Sequence, residues 1–287
     1  MTRRRAIPLA VAAAATVLVA CLGGTELKAV PYGFITLTAR QAGTTYRAVP
    51  VGSFFSAAGL GVPAETSPWD SCRLQTYTSA NSVSVGDVYP FLDAGPSIEM
   101  KLPGRTDSLF PGIVSNQMEY ATRSNLSVPY TPGDSVSFVV PGTSSGFPAI
   151  SFKAKTAEAL LVTDFGTPAA GTRIDLRWNA GQDLNATMAI ALRYGALNTD
   201  TLNSQVYCQF RDDGTDSIPA KYVSAWAAAK LHSWVATRVR TYLAPVSRGG
   251  YFDFISTFDV PTIQATTVSA QALRRSAVRL PSGRGGW

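Results

Sequence analysis

Apolar and polar residues trade places at every second position in run after run of this chain, a period that leaves room for little but β-structure. Ser97-Ile98-Glu99-Met100-Lys101-Leu102 sets Ile98, Met100 and Leu102 on one face, with Glu99 and Lys101 on the other. Arg173-Ile174-Asp175-Leu176-Arg177-Trp178 repeats the scheme with its charges outward. Side chains alternate across a strand, so a run of this kind buries one face and wets the other. Further strands are predicted over 34–39, 46–51, 82–88, 135–140, 160–163, 188–194, 205–211, 234–242 and 251–258, all rich in β-branched and aromatic residues. Clusters such as Thr131-Pro132-Gly133-Asp134, Pro141-Gly142-Thr143, Ala180-Gly181-Gln182-Asp183 and Arg248-Gly249-Gly250 supply tight reversals between them. One short helix is predicted over 219–231, where Ala220, Ala227, Ala228 and Ala229 favour it. The expected fold is all-β, with two antiparallel, immunoglobulin-like β-sandwich domains over 31–125 and 126–262. After them, 263–287 reads as a basic, disordered tail.

The first twenty residues read differently. Arg3, Arg4 and Arg5 precede an almost wholly apolar run from Ala6 to Ala20, the layout of an export signal. The run is too short to span a bilayer, which takes roughly 20 apolar residues. Leu18-Val19-Ala20-Cys21 resembles the lipobox of bacterial lipoproteins, and Leu22-Gly23-Gly24 resembles the flexible stem that follows it. The resemblance implies a signal peptide over 1–20, cleavage before Cys21, a thioether-linked diacylglycerol on its sulfur and acylation of the new amino group. Residues 21–30 are then a lipidated stem, and more than one acyl chain makes the anchor firm. Leu22 is not the Asp that keeps such lipoproteins at the inner membrane, so the implied destination is the outer membrane. The alternative is an ordinary secretory signal with an incidental cysteine.

The net charge of +6 misleads until it is located. Setting aside the three arginines before Cys21 and Arg274, Arg275, Arg279 and Arg284 of the tail leaves 18 basic residues against 19 acids. A nucleic-acid-binding domain carries its positive charge on the folded part, so no nucleic-acid partner is expected. The predicted partners are the membrane, through the anchor, and an envelope protein or glycan.

Little in the sequence carries chemistry. Cys72 and Cys208 are an even pair and export permits a disulfide, but a lone buried thiol at Cys208, packed as a small hydrophobe, is the favoured reading. His232 is the single histidine, so a Ser-His-Asp arrangement must use it. Gly142-Thr143-Ser144-Ser145-Gly146 matches the nucleophile-elbow pattern, yet that elbow needs a helix at once, and Phe147 before Pro148 disfavours one. Asp212, Asp213 and Asp216 around Gly214 are candidate Ca2+ ligands, although the twelve-residue loop with its closing Glu is missing. Asp-Gly is also an ordinary hairpin dipeptide. Trp178, Trp226 and Trp234 suit a core before a sugar platform. No cofactor motif is present, so no cofactor is expected.

A second resemblance covers residues 70 to 260. Ile174-x-Leu-x-Trp178-x-Ala-Gly181, the strand 189–192, Tyr207-Cys208-x-Phe210 and Ile218-Pro219-Ala220 look like a pattern in uncharacterised, myxobacteria-like bacterial lipoproteins. Those proteins carry more cysteines in their first half, where this chain has only Cys72. The resemblance implies an architecture and no activity. The leading expectation is therefore a non-enzymatic, lipid-anchored envelope protein with a binding or scaffolding role. A Ca2+-dependent adhesion or carbohydrate-binding module and an envelope hydrolase are the alternatives.

Overall fold

The computed structural model describes residues 29–57, 70–76, 90–114, 117–123, 127–183, 185–195, 203–229 and 232–262. Cys21, the strand expected over 82–88 and the tail over 263–287 lie outside them. The all-β expectation holds, since among the described residues sixteen strands accompany a single α-helix.

The base of the fold is one long sheet. Its strands are β1 (Val30–Ala42), β2 (Thr45–Ala57), β3 (Ser71–Thr76), β12 (Thr187–Tyr194), β13 (Ser204–Arg211), β15 (His232–Val246) and β16 (Gly250–Thr262). They lie in the order β3-β13-β12-β15-β16-β1-β2. β1 and β16 are parallel, and every other pair is antiparallel. Two short strands, β6 (Gln117–Ala121) and β7 (Val128–Pro129), share the far edge of β2.

From β6 the sheet turns a corner. In β5 (Arg105–Val114), residues 110–114 pair with β6, while residues 105–109 pair with β4 (Ile98–Leu102). Beyond β4 follow β8 (Ser135–Val140) and β9 (Ile150–Lys155), and this flap folds back over the base. Phe138 meets Phe254 at 5.3 Å between ring centroids, and Phe152 meets Phe252 at 4.7 Å. A second cover is a separate sheet of β10 (Val162–Phe165), β11 (Ile174–Trp178) and β14 (Thr215–Ile218). It lays Phe165 on Trp234 at 4.2 Å and Trp178 on Phe210 at 6.3 Å. The helix α1 (Ala220–Ala228) follows β14 and buries Val223 and Trp226. Pro219, which lacks the N–H that a helix start would leave unpaired, precedes it.

The period-two pattern explains the layering. In β16, Phe252, Phe254, Ser256 and Phe258 face the covers, and in β1, Ile35, Leu37 and Ala39 do so. Each fully buried aromatic or aliphatic side chain contributes about 1.5–3 kcal/mol. Ser256 is the odd member, and its place follows from residues 156–161, which connect the two covers across the base sheet. Their backbone needs partners inside the core. Ser256 Oγ accepts from Ala157 N–H at 2.8 Å, and Tyr130 donates its hydroxyl to Ala157 O at 2.6 Å.

The strand order does not confirm two immunoglobulin-like units. The break expected near 124–130 falls between strands of one continuous path, in which β1 and β2 hydrogen-bond beside β16 and β15. One buried cluster runs from Ile35 to Phe258 through both expected halves. Periodicity reports which face of a strand is buried and says nothing of which strand lies next to it.

Candidate functional site

Among the described residues, an organised group of polar side chains stands where the second cover meets the base sheet. Asp213-Gly214 is not a hairpin within one sheet. Gly214, at φ +100°, swings the chain from β13 in the base to β14 in the cover, a backbone angle that glycine adopts without strain. Asp212 thereby lies between the layers. Arg238, on the inward face of β15, donates through Nε to Asp212 Oδ2 at 2.5 Å and through Nη2 to Oδ1 at 2.9 Å. Trp178 Nε1 donates to the same Oδ1 at 2.8 Å. The remaining guanidinium capacity goes to Ala159 O at 2.6 Å and to Asn179 O. The two charged side chains are only 1% and 2% exposed. Gly181 leaves room for them, since a Cβ there would stand 2.3 Å from Asp212 Oδ2. Beside them Arg240 pairs with Asp183. With both carboxylate oxygens occupied, the cluster is a clamp between layers, and no open position for a ligand follows from it.

This arrangement corrects the cation-site expectation. Asp212 points into the core, while Asp213 and Asp216 lie in and after the turn. Asp216 is drawn toward Asp70, and burial together with that neighbouring charge raises its carboxyl pKa. Asp70 in turn accepts from Arg211 N–H at 3.3 Å. Among the described residues, no group of three or more His, Cys, Asp or Glu side chains is assembled that could hold a metal.

The other candidates are also placed. Cys72 and Cys208 stand directly opposite one another on β3 and β13 and are joined as a disulfide, which corrects the lone buried thiol favoured for Cys208. Ser144 lies in the loop between β8 and β9, with no helix after it, and lines a surface depression of about 370 Å3 together with Arg248. His232 starts β15, its Nδ1 2.8 Å from Ala229 O and its ring against Trp226. Arg248 lies just past the other end of β15, so Ser144 and His232 are separated by roughly the length of that strand, on the order of 50 Å. They form no catalytic pair. A second depression, of about 340 Å3, is lined by Tyr46, Arg105 and Tyr130 among others, and neither depression is lined by a carboxylate. Trp178, Trp226 and Trp234 are core residues.

The face of the base sheet turned away from the covers carries the groups that periodicity left unassigned. Tyr32, Phe34, Phe55 and Ala57 form a second buried cluster there. Asp253 is buried on the same face, and burial, with the Asp253 charge behind it, pushes the Tyr32 hydroxyl above its ordinary range. Farther along β16, Asp259 accepts from Thr237 Oγ1 at 2.9 Å. Burial raises its pKa from 3.8 to about 6, against the opposing pull of that hydrogen bond, Arg193 and Arg40. The folded state therefore holds this proton more tightly than the unfolded chain does. Its stabilising contribution is complete below about pH 4 and is lost as pH rises through about 6. Asp259→Asn keeps an acceptor for Thr237 and removes the charge. Thermal melts should show it matching the parent near pH 4 and melting several degrees higher at pH 7.5. A parent and variant that track one another across the range would contradict the assignment.

Compared with models of known protein families, with characterised proteins and with solved structures, the chain matches none.

Proposed function

We propose that this chain is a lipid-anchored protein of a bacterial cell envelope, held at the outer membrane through Cys21 and acting by binding or scaffolding rather than catalysis. The observation that carries the reading is Leu18-Val19-Ala20-Cys21 at the end of a short apolar run behind three arginines. Two features of the fold support it. The Cys72–Cys208 disulfide suits a chain exported to an oxidising compartment. The first strand begins at Val30, nine residues after Cys21, which leaves a short stem between anchor and body. On this reading the partner is another envelope component, a protein or a glycan. The test is metabolic labelling with a palmitate analogue in a bacterial host. The parent protein should incorporate label and fractionate with membranes, while Cys21→Ala should do neither. Equal labelling of the two, or a mature chain that still carries residues 1–20, would defeat the proposal.

A further inference from the structure

The geometry points to one particular end of the β-sheet as the surface that meets the bilayer, with Ile113 as its apolar contact and Arg248 as its charged one; the inference rests on the lipid-anchor reading above. β1 enters the sheet at Val30, opposite Ala57 of β2. Because β16 runs parallel to β1, it starts at the same end, and so the exposed turn Ser247–Gly249 between β15 and β16 lies there too. The hairpin of β5 and β6 points the same way. β6 pairs with β2 through Tyr120 with Gly52 and Ala121 with Val51, antiparallel, so the hairpin advances toward the Ala57 end. Beyond Gly52 the edge of β2 pairs instead with residues 90–92. Ser56 N–H donates to Pro90 O at 2.8 Å, and Leu92 N–H donates to Phe54 O at 2.9 Å.

What β5 presents toward that end is unusual for an exposed stretch of strand. Pro111, Gly112 and Ile113 are all exposed and none is charged. Ile113 is 81% exposed, the most of any large apolar side chain among the described residues. A single exposed isoleucine means little by itself, and here it is the tether that selects the occupant. Nine residues from Cys21 to Val30 reach at most about 30 Å when fully extended. β16 alone, with its thirteen residues, is about 43 Å long. The Val30 end is thus kept within reach of the acyl chains, while the Ala42 end lies roughly a strand's length farther out. A hairpin bearing Ile113 can sink into the interfacial zone, about 5–10 Å deep. Arg248 is exposed at the same end and its guanidinium donates to Gly146 O, which fixes a cation there to face lipid phosphates. The occupant is the bilayer that carries the protein's own acyl chains.

The test uses the full lipidated protein, purified from membranes and reconstituted in vesicles of phosphatidylethanolamine and phosphatidylglycerol. Ile113→Cys and Gln41→Cys, both at exposed positions and at opposite ends, are each labelled with a small fluorophore while the native disulfide stays oxidised. Lipids brominated along their acyl chains quench a fluorophore that enters the bilayer. Quenching at 113 should exceed that at 41 by at least about threefold, as expected of shallow insertion. Acylated, vesicle-bound protein with equal quenching at the two positions overturns this inference and leaves the anchor intact. A protein whose Cys21 carries no acyl chain overturns the anchor reading, and this inference falls with it.

Discussion

Replacing Asp212 with alanine is expected to cost about 3–5 kcal/mol of stability, the range measured when one partner of a buried ion pair is removed. The loss has three sources, and geometry identifies each. Arg238 keeps a full charge in a site where its side chain is 1% exposed, with only the carbonyls of Ala159 and Asn179 left to solvate it. Trp178 loses the acceptor for its indole N–H. The second cover loses the contact that ties the end of β11 and the turn before β14 to the base sheet. For a chain of this size, the melting temperature should fall by on the order of 10 °C. The companion experiment separates the worth of the pair from the harm of breaking it. Arg238→Met combined with Asp212→Leu removes both charges and should recover most of the loss, because a buried pair offsets much of its own desolvation. Strict additivity of the two single changes, or a loss below about 1 kcal/mol for Asp212→Ala, would rule out the clamp.

Why the clamp escaped sequence reasoning is instructive. Residues 234–242 offer two faces, Val235, Thr237, Val239 and Thr241 on one, Trp234, Ala236, Arg238, Arg240 and Tyr242 on the other. Trp234, read as a core residue, draws the second face inward, while the charges of Arg238 and Arg240 argue for solvent, so the alternation alone gives no reason to bury Arg238. In the fold the arginine face is inside, because residues 156–161 cross the core there and their carbonyls need donors. Period two says that faces differ; it does not say which face a neighbouring loop will claim. The strands with clean alternation, such as Ile98–Leu102 and Ile174–Trp178, were legible because their burial follows the alternation of their residues position by position. β5 was not legible, since Pro111 and Gly112 sit within it and its two halves serve different neighbours. β3 was missed because Ser71–Thr76 is mostly polar and gains its place from the strand and the disulfide beside it. The parallel pairing of the first and last strands joins residues more than two hundred positions apart, which no local pattern encodes. Of the candidate site residues, Asp212 was singled out for the right reason, a carboxylate at a turn, and assigned the wrong partner. A cation-binding loop and a corner between two sheets begin with the same Asp-Gly step.

Loss of the Cys72–Cys208 disulfide should be the other large effect, and it should act in two places at once. The bond closes a loop between residues 136 positions apart, for which chain entropy alone gives about 5 kcal/mol and experience with native disulfides about 2–5 kcal/mol. Locally it holds β3, six residues long and the outermost strand on its side of the base sheet. Beside the backbone ladder, side-chain ties across that edge include Gln205 Nε2 donating to Gln75 Oε1 at 3.0 Å, Arg73 over the Tyr207 ring, and Arg211 facing Asp70 at 3.8 Å. An exposed ion pair such as Arg211 with Asp70 is worth about 1 kcal/mol or less. Cys72→Ala with Cys208→Ala should therefore lower the urea midpoint of the whole molecule. Limited proteolysis in native buffer should also cut the variant near 71–76 sooner than it cuts the parent there. Reduction of the parent with dithiothreitol should reproduce both changes and leave the double variant unaffected. Because Cys208 is fully buried, reduction should be slow until β3 lifts, so thiol labelling ought to reach Cys72 first. A parent whose urea midpoint and cleavage pattern are the same with and without reductant would show that β3 is held by its hydrogen bonds alone, and that the covalent link adds nothing to the edge it joins.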